Sequence, residues 1–380
     1  MKRLALAIAV TMAVAATPAG AVSGGKKAPI ANAPYLAWLP EGCTGTLIAP
    51  DRILTAGHCL TEFTPVGFSV LVGRDGNALV PFGANRFQAA IAQGGIPARG
   101  FSVNPGFKES FPFAHRAPQN AIALDDVGLI LLSRPVTGIT PVQLAGASDR
   151  ADERVGAQAS IFGYGLTGPS FRSQPRSLQT GRMSVISPNA CGRAYPHAII
   201  PSEICGQDLS ATRPPLVQAC PGDSGGPFIR PTANGPVQIG VTSWGAETMD
   251  GLCSVKPLPD VAMRVSSFAS FLHAAKLPIE PYTLRRHANA RIIAPSRRIG
   301  RTVSCRAPKL VGAGVKLSYR WQADTLDNAD LKNGRRRTLK LTRAIYRQLD
   351  AARRIECTVT ARNAGGELVL VSGSLHLGRL

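Results

Sequence analysis

Short apolar runs broken by Gly and Pro set the pattern of this chain. Tyr35–Leu39, Gly45–Ala49, Ser69–Val72, Gly128–Leu132, Gln158–Phe162, Val237–Ser243 and Val261–Val265 are each the length of a strand and end in turn-forming residues. Runs of this kind predict β-strands. One stretch has a helical period: Ser266–Lys276 places Phe268, Phe271, Leu272 and Ala275 on a single face. Gly73–Leu124 is rich in Gly, Ala and Pro, has few strong signals and is expected to contain long surface loops. Leu277-Pro-Ile-Glu-Pro281 breaks the chain, and short alternating runs resume at Thr302–Arg306, Lys316–Gln322, Thr338–Thr342, Ile355–Ala361 and Glu367–Ser372. There is no internal repeat. The pattern predicts an all-β protein built from barrels or sandwiches.

The amino terminus follows a different rule. Met1-Lys-Arg3 precedes an apolar run, Leu4–Ala16, and then Thr17-Pro18 and Ala19-Gly20-Ala21. A basic start, an apolar centre and a small-x-small end predict a secretory signal over 1–21. A membrane anchor would need about 18–20 apolar residues. No other segment is apolar enough to span.

Composition sharpens this picture. A length of 380 residues allows about two or three domains. At 44% hydrophobic the chain can bury a sizeable core, while 6% aromatic with 39 Gly and 30 Pro favours a loop-rich β protein. Eight cysteines in an exported chain predict disulfides; a zinc site lacks the C-x-x-C or His-rich spacing that would recommend it. The formal charge of +20 is uneven: from Leu284 onward there are 21 Lys/Arg against 6 Asp/Glu. The chain is therefore expected to divide into a 1–21 signal, a 22–277 part of ordinary charge, a 278–289 linker and a basic 290–380 domain.

The chemistry centres on Cys220-Pro-Gly-Asp-Ser-Gly-Gly-Pro227. A serine hydroxyl is a weak nucleophile without a base. Small neighbours let a carbonyl approach Ser224, and the N–H groups of Gly222 and Ser224 can converge on an oxyanion. Leu54-Thr-Ala-Gly-His-Cys59 offers His58 as the base. Leu124-Asp-Asp-Val-Gly-Leu-Ile-Leu-Leu132 offers Asp126, whose carboxylate, opening so apolar a strand, needs a donor such as an imidazole N–H.

Thr-Ala-Gly-His-Cys, Asp-Val-Gly-Leu-Ile and Gly-Asp-Ser-Gly-Gly-Pro, in the order His, Asp, Ser, resemble the chymotrypsin/trypsin-like serine peptidase family over roughly Val22 to Leu277. Thr242-Ser-Trp-Gly245 looks like the family's strand that pairs with substrate backbone. The rival is the nucleophile elbow of α/β-hydrolases, which also fits Gly222–Gly226. That fold needs its Asp and His after the serine; Asp260 and His273 do follow, but too little chain remains for its strands and helices.

The resemblance implies a chymotrypsin-like double β-barrel and a secreted, extracellular serine endopeptidase acting on protein or peptide substrates. It implies His58, Asp126 and Ser224 as catalytic residues, an oxyanion hole from Gly222 and Ser224, and no cofactor or metal. Val22-Ser-Gly-Gly25 resembles the family's mature amino terminus, so the α-amino group of Val22 is expected to pair with Asp223. No Arg or Lys directly precedes Val22, so signal cleavage after Ala21 would itself expose that group. The implied disulfides are Cys43–Cys59, Cys191–Cys205 and Cys220–Cys253. The substrate pocket is expected to involve Gln218, Ser243, Trp244, Gly245 and Asp260. Gln218 stands where basic-specific members carry aspartate, and Asp260 either supplies a carboxylate to the pocket or bonds Gln218 or a loop amide.

Cys305, Trp321 and Cys357 in alternating runs resemble a bacterial immunoglobulin-like β-sandwich with a Cys305–Cys357 bridge, although Ile355 stands where a corner tyrosine would. Its charge fits an anionic surface or polymer as partner, or else a merely solvated Arg-rich surface. Nucleic acid is not expected, because no basic motif is interleaved with aromatics. The chain is read as a bacterial monomer without a membrane span. The alternative from another class is a secreted adhesin with a vestigial peptidase domain.

Overall fold

The computed structural model describes residues 22–61, 63–110, 122–146, 152–168, 174–195, 199–210, 216–245, 257–283, 288–324, 329–349 and 353–378. The expected signal over 1–21 lies outside them. No helix among the described residues is long and apolar enough to cross a membrane.

Two closed six-stranded antiparallel barrels form the amino-terminal two-thirds. The first runs Leu36–Trp38, Thr44–Ala49, Arg52–Thr55, Gly128–Leu132, Ile96–Val103 and Ser69–Val72, which pairs back onto Leu36–Trp38. The second runs Gln179–Ile186, Gln158–Gly163, Pro227–Thr232, Gly235–Gly245, Asp260–Arg264 and Glu203–Gln207, and closes on Gln179–Ile186. Closure leaves neither barrel an open sheet edge. Alternating Leu, Ile, Val and Phe fill the interiors, with Trp38, Phe68 and Phe101 fully or almost fully buried in the first and Phe228 and Ile239 in the second. This is the chymotrypsin-like double β-barrel.

Within 73–124 the described residues also hold helix Arg86–Ala92 and the barrel strand Ile96–Val103. Pro97 and Gly100 disguise that strand, and the register shifts between Ala98 and Gly100. The helix expected over 266–276 is shorter, a 3-10 turn Val265–Phe268 followed by Ala269–Leu272.

The carboxy-terminal part has two sheets. One is Arg291–Ile293, Thr302–Arg306 and Thr338–Lys340; the other is Lys316–Ala323, Arg354–Asn363, Gly366–Val371 and Leu375–His376. The Cys305–Cys357 disulfide links the two sheets. Trp321 is fully buried in the core beside it and donates through Nε1 to the Arg336 carbonyl.

Within the expected linker, Tyr282–Thr283 pairs with Leu310–Val311. Just before it, Ile279–Glu280 is clamped between strand Ile96–Val103 of the first barrel and the turn at Asn363–Gly366. Glu280 N–H donates to Phe101 (2.8 Å), Asn363 Nδ2 donates to Ile279 (2.8 Å), and Val103 N–H donates to Gly365 (2.8 Å). A Cβ on Gly365 would lie 2.4–2.5 Å from the backbone of residues 278–280, so the approach requires glycine.

Candidate active site

Each chemical group sits at the end or bend of a barrel strand. His58 lies in the turn after Arg52–Thr55, and the Cys43–Cys59 disulfide ties this turn to the neighbouring strand. Gly57 lets the turn pack closely: its Cβ would lie 3.1 Å from Val103 and 3.2 Å from Asp126 Oδ1. Asp126 precedes Gly128–Leu132 and is fully buried.

The Asp126 carboxylate accepts three hydrogen bonds. His58 N–H reaches Oδ1 at 2.8 Å, while His58 Nδ1 (2.7 Å) and the Ser243 hydroxyl reach Oδ2. Burial pushes this carboxyl up, but the charge and hydrogen bonds of His58 and the Ser243 hydroxyl outweigh it and hold the group below the usual carboxylate range. The pair fixes the imidazole proton on Nδ1 and leaves Nε2 as the basic nitrogen.

Ser243 was expected only as a pocket residue, and its bond to Asp126 was missed. The register of Gly235–Gly245 against Asp260–Arg264 shifts between Thr242 and Trp244. Ser243 is the extra residue of that bulge, and a bulge re-aims its side chain. Sequence alternation alone cannot place a bulge.

Ser224 lies in a tight loop between Cys220 and the strand beginning at Pro227. Its carbonyl accepts from Thr44 N–H at 2.9 Å, which ties the loop to the first barrel. Gly222 has φ +102°, and a Cβ there would lie 2.7 Å from the Gly165 backbone, so only glycine fits. Ser224 shares a cleft with Ala219, Cys220, Thr242, Ser243, Trp244, Gly245 and Asp260.

Behind this loop lies a second buried carboxylate. Asp223 accepts from Gly165 N–H on Oδ1 and from Cys220 N–H on Oδ2, each at 2.9 Å. Val22 is fully buried with φ +58°, and its backbone N–H also reaches Asp223. Burial dominates and pushes the Asp223 carboxyl up to about 7, against the opposing pull of these three backbone donors. Ser23 bridges to Gln218 and holds Val22 in place.

Gln218 does not line the cleft around Ser224. Its Nε2 donates to the Leu258 carbonyl at 2.8 Å, which satisfies a buried amide within the wall. Asp260 does line the cleft, and its Oδ2 accepts from Ala219 N–H at 2.9 Å. Trp244 packs edge-on against Tyr195, with centroids 4.9 Å apart.

Sequence reading missed Glu41. Both of its carboxylate oxygens are buried without a hydrogen-bond partner. Burial pushes the group up to about 8, partly opposed by its own backbone amide and the charges of Arg86 and His58. Nothing in the sequence around Pro40-Glu41-Gly42 signals that proximity.

Cys191–Cys205 is also bridged; Cys220 is disulfide-bonded, and Cys253 lies outside the described residues. Among the described residues, one cluster has metal-ligand spacing: Cys43, His58 and Cys59. Its two cysteines are bonded to each other, so neither can offer a thiolate.

A family model described as Trypsin matches residues 22–272. Mouse kallikrein-11 is 29% identical over 231 residues, spanning 61% of this chain and 72% of the relative. A trypsin of Saccharopolyspora erythraea is 28% identical over 256 residues, 66% of this chain and 96% of the relative. The solved structure of neuropsin, a serine protease expressed in the limbic system of mouse brain, aligns with a TM-score of 0.49 at 26% identity, covering 65% of this chain and 96% of its own. The family match covers well over half of the residues and runs through both barrels, and the chain accordingly belongs to the trypsin family, as a serine endopeptidase.

Proposed function

We propose that this chain is a secreted endopeptidase that cleaves peptide bonds through Ser224, His58 and Asp126. The observation that carries the reading is the clamp of His58 on Asp126, with Nδ1 and the backbone N–H on the two carboxylate oxygens. Only an imidazole so held presents Nε2 as a base. Ser224 attacks the scissile carbonyl as His58 Nε2 takes its proton; the proton then goes to the leaving amine. Gly222 and Ser224 N–H groups stabilise the oxyanion, each worth about 3–4 kcal/mol in comparable sites. Water, activated by His58, releases the acyl-enzyme.

Activation follows from the amino terminus. Cleavage after Ala21 turns the Val22 amide that reaches Asp223 into an ammonium. The new charge pairs with a carboxylate otherwise served by amides alone, and so fixes the Cys220–Ser224 loop. The basic 290–380 part is read as an immunoglobulin-like sandwich, supported by its two sheets, the Cys305–Cys357 bridge and buried Trp321.

A fluorophosphonate probe tests the catalytic reading. Wild-type protein is expected to label, and Ser224→Ala to lose the label while keeping its fold. Folded wild-type protein that does not label would favour the adhesin alternative.

A further inference from the structure

The acids of the carboxy-terminal part are segregated by sheet: Glu356 and Glu367 lie on strands of the four-stranded sheet, and the strands of the three-stranded sheet have none. Stretches 291–311 and 332–347, which supply the three-stranded sheet and its turns, hold six and seven Lys/Arg and no Asp or Glu. All of those cations are exposed. The four-stranded sheet is mixed: Arg320 pairs with Asp330, and Arg362 with Glu367.

The register shows the face this creates. Val303, Cys305 and Leu339 point inward, so Thr302, Ser304, Arg306, Thr338 and Lys340 share the outer side. Arg291 lies directly opposite Arg306, and Lys340 opposite Thr302. Like charges directly opposite on a sheet are destabilising. With no acid in the face among the described residues to offset them, an external anion relieves the repulsion. Arg335-Arg336-Arg337 leads straight into Thr338 and extends the strip; Arg335 alone of these reaches an acid, Asp330.

We infer that this outer sheet face is a docking surface for a linear anionic polysaccharide. Forked guanidinium groups match sulfate, phosphate and carboxylate oxygens in pairs. Thr302, Ser304 and Thr338 set hydroxyls between the cations, suited to sugar hydroxyls. The three strands carry no aromatic residue, so the face lacks the stacking platform that single-stranded nucleic acid uses. The face is distant in sequence from the residues of the hydrolytic reaction and would tether the peptidase to an anionic matrix.

The test uses the full chain and two triple variants of equal charge. One removes the face: Arg291→Ser, Arg306→Ser, Lys340→Ser. The other removes exposed cations elsewhere: Lys276→Ser, Lys316→Ser, Arg354→Ser. Affinity is measured for dextran sulfate, neutral dextran and single-stranded DNA across salt, with hydrolysis of a short peptide as the fold control. Wild type is expected to bind dextran sulfate and not neutral dextran. The face variant should lose about tenfold or more at low salt and flatten the salt dependence by about two to three charges, while the control variant changes less than about threefold. Peptide hydrolysis stays unchanged in both, so a failed tether and a failed active site give separate readouts. Equal losses in both variants would overturn the proposal, as would no wild-type binding to dextran sulfate. Tighter binding to DNA than to dextran sulfate would overturn the choice of polysaccharide.

Discussion

Two buried carboxylates stand near Ser224, and they are held in opposite ways. Asp126 and Asp223 are both almost wholly removed from water. Asp126 faces an imidazole that can carry charge, and it stays below the usual carboxylate range. Asp223 faces only backbone amides, those of Cys220, Gly165 and Val22, and rises to about 7. Equal burial with unequal partners gives opposite shifts, so the partner decides. The Asp126 site is complete as it stands. On the proposed reading, the Asp223 site is completed by the cation that cleavage before Val22 would supply.

The largest effect should come from the complete site. Asp126→Asn keeps the shape but frees the imidazole to take the wrong tautomer, and kcat/KM at neutral pH is expected to fall about 10⁴-fold. A loss under tenfold would show that the clamp is not catalytic.

The incomplete site should give the next effect. A chain with one glycine added before Val22 keeps an amide where a chain starting at Val22 has an amine. Its kcat/KM is expected to be about 10²–10³-fold lower, the cost of a disordered oxyanion loop. The same chain should respond to pH with a definite sign. A raised carboxyl favours the fold below the usual carboxylate pKa, and that stability is lost as pH rises through about 7. Thermal unfolding should therefore show the extended chain losing stability between pH 4 and 8 relative to the chain starting at Val22.

A third buried acid extends the comparison to the domain seam. Glu280 is 2% exposed, and neither carboxylate oxygen has a hydrogen-bond partner. Burial and then Glu367 push it well above the ordinary value. Its contribution is likewise lost as pH rises. Glu280→Gln should raise Tm at alkaline pH by about 2–4 °C and change it little at pH 5. The smallest effect should come from Asp260, whose Oδ2 already accepts from Ala219. A peptide panel varied at the residue before the cut should show a preference for Arg or Lys over Leu of no more than about tenfold.

The proposed catalytic residues stand out in the sequence because each is embedded in a fixed local string: His58 before Cys59, Asp126 before an unbroken apolar strand, Ser224 among glycines. The short strands were legible through their turns. What stayed hidden depends on irregular register or on distant packing. Ile96–Val103 is interrupted by Pro97 and Gly100 and shifts register there. Ser243 owes its aim to a bulge. Gln218 meets a partner 40 residues away, and no spacing rule predicts that bond. The buried states of Glu41 and Glu280 arise from tertiary neighbours, so their sequence surroundings look like ordinary loops.

The central claim is that one ammonium at Val22 completes the site beside Ser224. Amino-terminal sequencing of the fluorophosphonate-labelled, secreted fraction tests it most directly. The account predicts a single start at Val22. Labelled, active protein that begins at any other residue would contradict it.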